Sequence, residues 1–197
     1  RYWKPSIAEA IEELADEGVE HIVTVALSPF ETQVTHGEYR SAVEDAVRQH
    51  PGMLVSEAPL LSELPVYALL HAQAAADTLE ALGVADAPVI FSAHSLPLGD
   101  VSADDAYVRG LERCADSVAV SLGLAPGAPA AEVFHGVRAY GSADGPRRWA
   151  VSYQSKGVRG GEWLGPDTDD VIRAAADGGA SAVVIVPLGF ATEHMET

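Results

Sequence analysis

The side chains of this chain that are best suited to chemistry form two groups, each placed directly after an apolar segment. His94 follows the run Val-Ile-Phe-Ser-Ala at residues 89–93, and Glu193, His194 and Glu196 follow the apolar run at residues 182–187. A neutral imidazole can ligate a divalent metal ion or accept a proton, and a nearby carboxylate lowers the cost of positive charge. An imidazole that faces a carboxylate across a cleft would therefore suit a reaction that moves protons and holds a metal ion.

Both apolar runs have the composition of strands that are buried on both faces of a parallel sheet. Ligands of such sheets bind beyond the carboxyl ends of the strands, because the loops converge there and helix N-termini present free N–H groups. If the two strands share a sheet, His94 and the carboxylates lie on the same edge. Position alone is not specific, since a histidine after a strand more often packs or caps than reacts.

The elements that must hold these residues alternate along the chain. The pattern predicts helices over 5–16, 38–49 and from Pro65 to near Gly83, with strands at 22–27 and 53–55 between them. The alternation then starts again, with strands at 89–93, 149–154 and 182–187, a helix over 103–122, and a helix over 167–177 capped by Asp167. The pattern favours an α/β fold in two units, 1–85 and 86–197, and residues 124–147 of the second unit read as an irregular loop.

The composition excludes several classes of protein. A chain of 197 residues with 48% hydrophobic content can bury a core, and its formal charge of -17 opposes binding to nucleic acid. The single Cys114 cannot form an internal disulfide, and no apolar run approaches the roughly 20 residues that span a bilayer. We expect a cytoplasmic protein without a transmembrane segment. No coiled-coil pattern points to a dimer seam, so the oligomeric state stays open.

Four motifs of the chain resemble those of the ferrochelatase family. Residues 91–97 read FSAHSLP and look like the signature F-S-A-H-S/G-L-P, while residues 187–197 read PLGFATEHMET and resemble P-x-G-F-x-S-D-H-x-E-T. Between them, YQSK at 153–156 and WLGP at 163–166 resemble the Q-S-R/K and W-L-x-P elements of the family. The motifs are in the right order, and the resemblance covers essentially the whole chain.

The resemblance implies a chelatase-like fold of two Rossmann-like units, each with a parallel sheet flanked by helices, which is incomplete in this chain. It also implies that His94 lies in a porphyrin cleft and serves in metal ligation, pyrrole deprotonation or both. Glu196 would face it as a metal ligand or proton relay. The implied substrates are a porphyrin and Fe²⁺, joined in haem biosynthesis without an organic cofactor.

Some positions depart from the family pattern. Glu193 replaces the usual Asp, residues 30–33 read FETQ where the family usually has Tyr-Ser, and the residues after Lys156 differ from the family, so that Lys156 is given no role. Some family members carry an iron–sulfur cluster. One cysteine is too few for a four-thiolate site, so no cluster is expected in this chain.

Two other functions remain open on the sequence. The chain could belong to a chelatase for another tetrapyrrole or another metal such as cobalt, because histidine and carboxylate accept several divalent ions. It could also be a non-catalytic porphyrin-binding fragment. Since family members have further segments before and after the region matched here, we expect the isolated chain to be poorly active. The choice between protoporphyrin and coproporphyrin is not predicted.

Overall fold

A computed structural model describes residues 4–102, 104–124, 148–158 and 160–192, together with the backbone of residues 133–134 and 137–140. Within these residues the chain alternates helices with strands. The helices are α1 Ile7–Asp16, α2 Glu38–Val47, α3 Pro65–Ala81, α4 Ala106–Ser121 and α5 Thr168–Asp177. The strands are β1 His21–Thr24, β2 Leu54–Glu57, β3 Val89–His94, β4 Val133–Phe134, β5 Val137–Tyr140, β6 Trp149–Gln154 and β7 Val184–Val186.

The first sheet consists of β1 and β2, which pair in parallel from His21↔Leu54 to Thr24↔Glu57. Helices α1 and α2 pack together over it around a small core of Ile11, Ile22 and Ala46. Helix α1 begins at a capping box, in which the Ser6 hydroxyl accepts a hydrogen bond from the Glu9 N–H and the Glu9 carboxylate accepts one from the Ser6 N–H. The predicted strand at 22–27 is thus shorter than expected, because only residues 21–24 pair with β2.

The second sheet has the order β4-β5-β6-β3-β7, so that β3 lies between β6 and β7 and is parallel to both. Strand β5 runs antiparallel to β6, and β4 runs antiparallel to β5. The prediction of an irregular loop at 124–147 was therefore wrong for residues 133–134 and 137–140. Strand β5 takes its main-chain partners from the sheet edge at β6, and β4 takes its partners from β5. No local pattern of apolar residues reveals such edge pairing.

Helices cover both faces of the second sheet. Successive residues of a strand point to opposite faces, and accordingly Val89, Phe91 and Ala93 pack in the larger core with α3 and α4 while Ile90 packs against α5. This arrangement confirms the predicted α/β fold with parallel strands flanked by helices. In the described part of the chain, no helix has both the length and the apolar composition needed to cross a bilayer.

Helix α3 belongs by its packing to the second sheet, although it precedes the predicted boundary at residues 85 and 86. Its residues Ala72, Ala75 and Leu79 lie in the same core as β3 and α4. The helix begins with Pro65 at its first position, and Gly83 follows it with a φ of +63°, as the sequence predicted. The division into two units stays a prediction.

The start of α5 differs from its prediction in one respect. Asp167 occupies the N-cap position, but its side chain makes no capping hydrogen bond. Instead, the Lys156 ammonium donates a hydrogen bond of 2.7 Å to Asp167 Oδ2. The partner of the Asp167 carboxylate thus comes from before the helix, from a residue that a propensity argument does not consider.

Candidate functional site

His94 is the last residue of β3, at the centre of the second sheet. It pairs with Gln154 at the end of β6, and on the other side Phe91 pairs with Val186 at the end of β7. The three strands are parallel, so their carboxyl ends lie at one edge. The condition for a shared edge, that the strands at 89–93 and 182–187 belong to one sheet, is met.

The orientation of the His94 ring follows from its contact with the next residue. His94 Nδ1 lies 2.5 Å from the carbonyl oxygen of Ser95. A carbonyl oxygen only accepts, so Nδ1 carries the hydrogen and donates it. In the neutral imidazole the lone pair is then on Nε2. The His94 side chain, which is partly exposed, can therefore accept a proton or ligate a metal ion through Nε2.

The segment after His94 is held against residues 163–166. The Ser95 hydroxyl donates to the carbonyl oxygen of Leu164 at 2.8 Å, and the Leu164 N–H donates to the carbonyl oxygen of Leu96 at 2.8 Å. Ser95 is fully buried. Two sequence motifs that lie some distance apart in the chain thus form one hydrogen-bonded unit beside the candidate site.

The segment after β7 lies directly against the end of β3. The Gly189 N–H donates to the carbonyl oxygen of Ser92 at 3.0 Å, and a Cβ atom at residue 189 would come within 2.6 Å of Ala93 Cα. The Tyr67 hydroxyl on α3 donates to the carbonyl oxygen of Leu188 at 2.8 Å. These bonds place residues 188 and 189 beside the strand that carries His94.

The acidic members of the predicted site, Glu193 and Glu196, and His194 with them, lie outside the described residues. The pairing of His94 with Glu196 therefore stays a prediction. Among the residues that the structure describes, no group of three or more His, Cys, Asp and Glu side chains is arranged to hold a metal ion. Burial raises the pKa of the Cys114 thiol to about 11, so this core side chain is a protonated thiol and a poor metal ligand.

Two residues at this edge were not recognised as part of the site from the sequence. Tyr107 is a buried residue of α4, and its hydroxyl donates to the main-chain carbonyl of His94 at 2.7 Å. Gly189 stood in a motif without an assigned task. The local sequence does not show which acceptor a tyrosine hydroxyl will reach. The need for glycine at position 189, where two main-chain segments come close together, would be suggested only by comparing many sequences.

The comparison with known families agrees with this geometry. A family model described as Ferrochelatase matches residues 1–197. The chain belongs to the ferrochelatase family. Its α/β architecture, with His94 at the carboxyl edge of the second sheet, is consistent with the chelatase fold that the sequence predicted.

Several bacterial ferrochelatases are similar to this chain over essentially its whole length. The ferrochelatase of Thermus thermophilus is 27% identical over 211 residues, which cover 100% of this chain and 56% of that protein. The ferrochelatase of Acidobacterium capsulatum is 29% identical over 100% of this chain and 58% of its own length. A coproporphyrin III ferrochelatase of Halalkalibacterium halodurans is 26% identical, with 98% and 56% covered. The chain thus spans about half the length of the curated relatives it matches.

Proposed function

We propose that the protein containing this chain inserts Fe²⁺ into a porphyrin in haem biosynthesis, with His94 and Glu196 as the residues that handle the metal ion and the pyrrole protons. The observation that carries the proposal is the fixed ring of His94 at the carboxyl edge of the sheet. Its Nδ1–H is donated to Ser95, which leaves the lone pair on Nε2. Family membership over residues 1–197 supports the same reaction.

The chemistry requires a base and a place for the metal ion. A divalent ion that enters a porphyrin loses its bound waters and replaces two pyrrole hydrogens, which leave as protons. Nε2 of His94 can accept one such proton or ligate the incoming ion, but one lone pair cannot do both at once. A second group is therefore needed, and the carboxylate of Glu196 is the candidate, since it would also offset the positive charge.

The proposal also covers the cellular location of the reaction, its substrates and its cofactors. We place it in the cytoplasm, with Fe²⁺ as a substrate, no organic cofactor and no iron–sulfur cluster bound by this chain. The porphyrin is either protoporphyrin or coproporphyrin. A chelatase for another metal and a non-catalytic porphyrin-binding chain are the other outcomes that an experiment has to separate.

Anaerobic metalation followed by absorbance tests the proposal, with ferrous, cobalt and zinc ions and with both porphyrins as substrates. We expect His94→Ala to reduce turnover by about 100-fold or more, the range that loss of a general base commonly gives. His21→Ala is the matched control, because His21 is an exposed histidine on the first sheet, and it should keep the activity of the parent protein.

The outcomes separate the candidate functions. Turnover that persists unchanged in His94→Ala would contradict the role of this residue. Porphyrin binding without turnover in the full-length protein would favour a binding function. The same assay on the isolated chain tests the expectation that the 197-residue chain is poorly active.

A further inference from the structure

The peptide unit between His94 and Ser95 is held at both of its polar ends. Its carbonyl oxygen, which belongs to His94, accepts a hydrogen bond of 2.7 Å from the Tyr107 hydroxyl. Its N–H, which belongs to Ser95, donates to the carbonyl oxygen of Gln154 at 2.7 Å. A peptide unit is planar, so two such bonds fix the direction of the plane as well as its position.

The residue that follows this peptide unit supplies the hydrogen-bond acceptor of the His94 ring. The next carbonyl along the chain, that of Ser95, is the one that accepts the hydrogen of His94 Nδ1. The Ser95 side chain is anchored as well, through its hydroxyl to the Leu164 carbonyl. The Ser95 carbonyl is thus separated from the held peptide unit only by the Cα atom of a residue whose side chain is anchored too.

Tyr107 is itself rigidly placed for this task. It lies in the first turn of α4, where its own N–H donates to Asp105 Oδ1 at 3.0 Å. Its ring is 5% exposed and meets the Phe30 ring edge to face, at 6.1 Å between centroids. Burial raises the pKa of the Tyr107 hydroxyl above its usual range, so the group remains a protonated donor.

We infer that Tyr107 is a positioning residue for His94. Its hydroxyl fixes the peptide unit that follows the histidine, and thereby keeps the hydrogen on Nδ1 and the lone pair on Nε2. The catalytic consequence rests on the proposed function, in which Nε2 accepts a pyrrole proton or binds the metal ion. The effect on the tautomer does not depend on that function.

The main test is the tautomer of His94 in the Tyr107→Phe variant, read from nitrogen-15 chemical shifts of labelled histidine at an alkaline pH where imidazoles are neutral. A protonated and an unprotonated ring nitrogen give distinct shifts. We expect Nδ1 to be the protonated nitrogen of His94 in the parent protein. In the variant a fraction with the hydrogen on Nε2 should appear. An unchanged tautomer in a folded variant would overturn the inference.

Tyr67→Phe is the matched control for this measurement. It removes the same kind of bond, from a helix tyrosine to a main-chain carbonyl, but at Leu188 rather than at the peptide unit of His94. The control variant should keep the parent tautomer of His94. If both variants shift it equally, the effect is a general loosening of the core and the specific role of Tyr107 is refuted.

If Tyr107→Phe does not fold, a measurement on the parent protein tests whether the Tyr107 hydroxyl is held in its hydrogen bond to the His94 carbonyl. The Tyr107 hydroxyl proton should exchange with solvent much more slowly than that of Tyr39, whose side chain is 37% exposed. This exchange is visible as an isotope effect on the adjoining ring carbon in mixed H₂O and D₂O. Equal exchange rates for the two hydroxyls would overturn the inference.

Kinetics of the full-length protein then link the tautomer to the reaction. Loss of a group that orients a ligating histidine commonly costs about 10-fold to 100-fold in activity, and we expect that loss in kcat while KM for the porphyrin is unchanged. A variant with a shifted tautomer but the parent kcat would refute the positioning role. A parent protein without any metalation activity would refute the proposed function, whereas the tautomer measurement would still decide the inference about Tyr107.

Discussion

Two histidines of this chain show that the environment of a side chain, not its type, decides which nitrogen carries the hydrogen. His94 donates its Nδ1–H to the Ser95 carbonyl. His36, by contrast, uses Nδ1 as an acceptor for the Thr32 N–H at 3.2 Å, so its hydrogen is on Nε2. That Nε2 is buried. His36 is a core residue, and it also lines a cavity of about 670 Å³ beside β1.

His36 should make the stability of the protein depend on pH. Burial lowers the pKa of His36 below 6.5, and Arg40 adds to this effect, although the nearby carboxylates Glu31 and Glu57 oppose it. As the pH falls below about 6.5, the unfolded chain binds a proton that the folded chain does not, so the free energy of unfolding decreases. Replacing His36 with Gln should flatten this decrease in urea unfolding measured from about pH 7 to pH 5.

The control for this prediction is His21→Gln, which changes an exposed histidine. That variant should keep the pH dependence of the parent protein. The prediction is wrong if the His36 variant loses stability on acidification as steeply as the parent does.

At the scale of elements, the site depends on how closely the segment after β7 approaches β3. Gly189 is the point of contact, since a Cβ atom there would lie 2.6 Å from Ala93 Cα and 3.3 Å from the backbone nitrogen of His94. Both are main-chain atoms of a central strand, which cannot move aside without disturbing its neighbours. Small residue size at this position is therefore a requirement of the strand pairing.

Gly189→Ala should lower the stability of the protein by about 1–3 kcal/mol, the usual cost of forcing an extra methyl group into a packed position. Thermal or urea unfolding measures the loss. Gly99→Ala is the matched control, because a Cβ atom at Gly99 has nothing within 4 Å, and its stability should stay within about 0.5 kcal/mol of the parent. Equal stabilities for the two variants would show that the contact at Gly189 is relieved by a movement of the loop.

At the scale of the whole molecule, the core that packs on the second sheet contains residues from both halves of the chain. Helix α3 packs on α4 and β7, and Phe30, which follows β1, is 1% exposed in the same core. The first sheet, in contrast, leaves Val23 and Leu54 largely exposed. The stability of the site is thus provided mainly by the core around the second sheet, to which α3 contributes its buried residues.

A pair of leucines on α3 tests this division of the core. Leu79 is 3% exposed in the second core, whereas Leu70 on the same helix is 65% exposed. Leu79→Ala should cost about 2–5 kcal/mol in the free energy of unfolding, because it removes buried apolar area and leaves a cavity. Leu70→Ala should change it by no more than about 0.5 kcal/mol. Similar effects of the two changes in urea unfolding would contradict the packing of α3 described above.

The sequence by itself determined the type and much of the extent of the main elements. The bounds of β6, the start of α3 at Pro65 and the place of His94 at the end of β3 all agree with local patterns. Apolar runs, a proline at the first helical position and a glycine after the last turn act within a few residues, so they can be recognised in the chain. The motifs around His94 also identified the family.

Only the tertiary structure decided which distant groups meet. It set β3 between β6 and β7, built β4 and β5 onto the sheet edge, and gave the Asp167 carboxylate to Lys156 rather than to the helix cap. It also directed the Tyr107 hydroxyl to the carbonyl of His94. Strand neighbours and buried hydrogen-bond partners are chosen by the packing of segments far apart in the chain, and a local pattern carries no information about that choice.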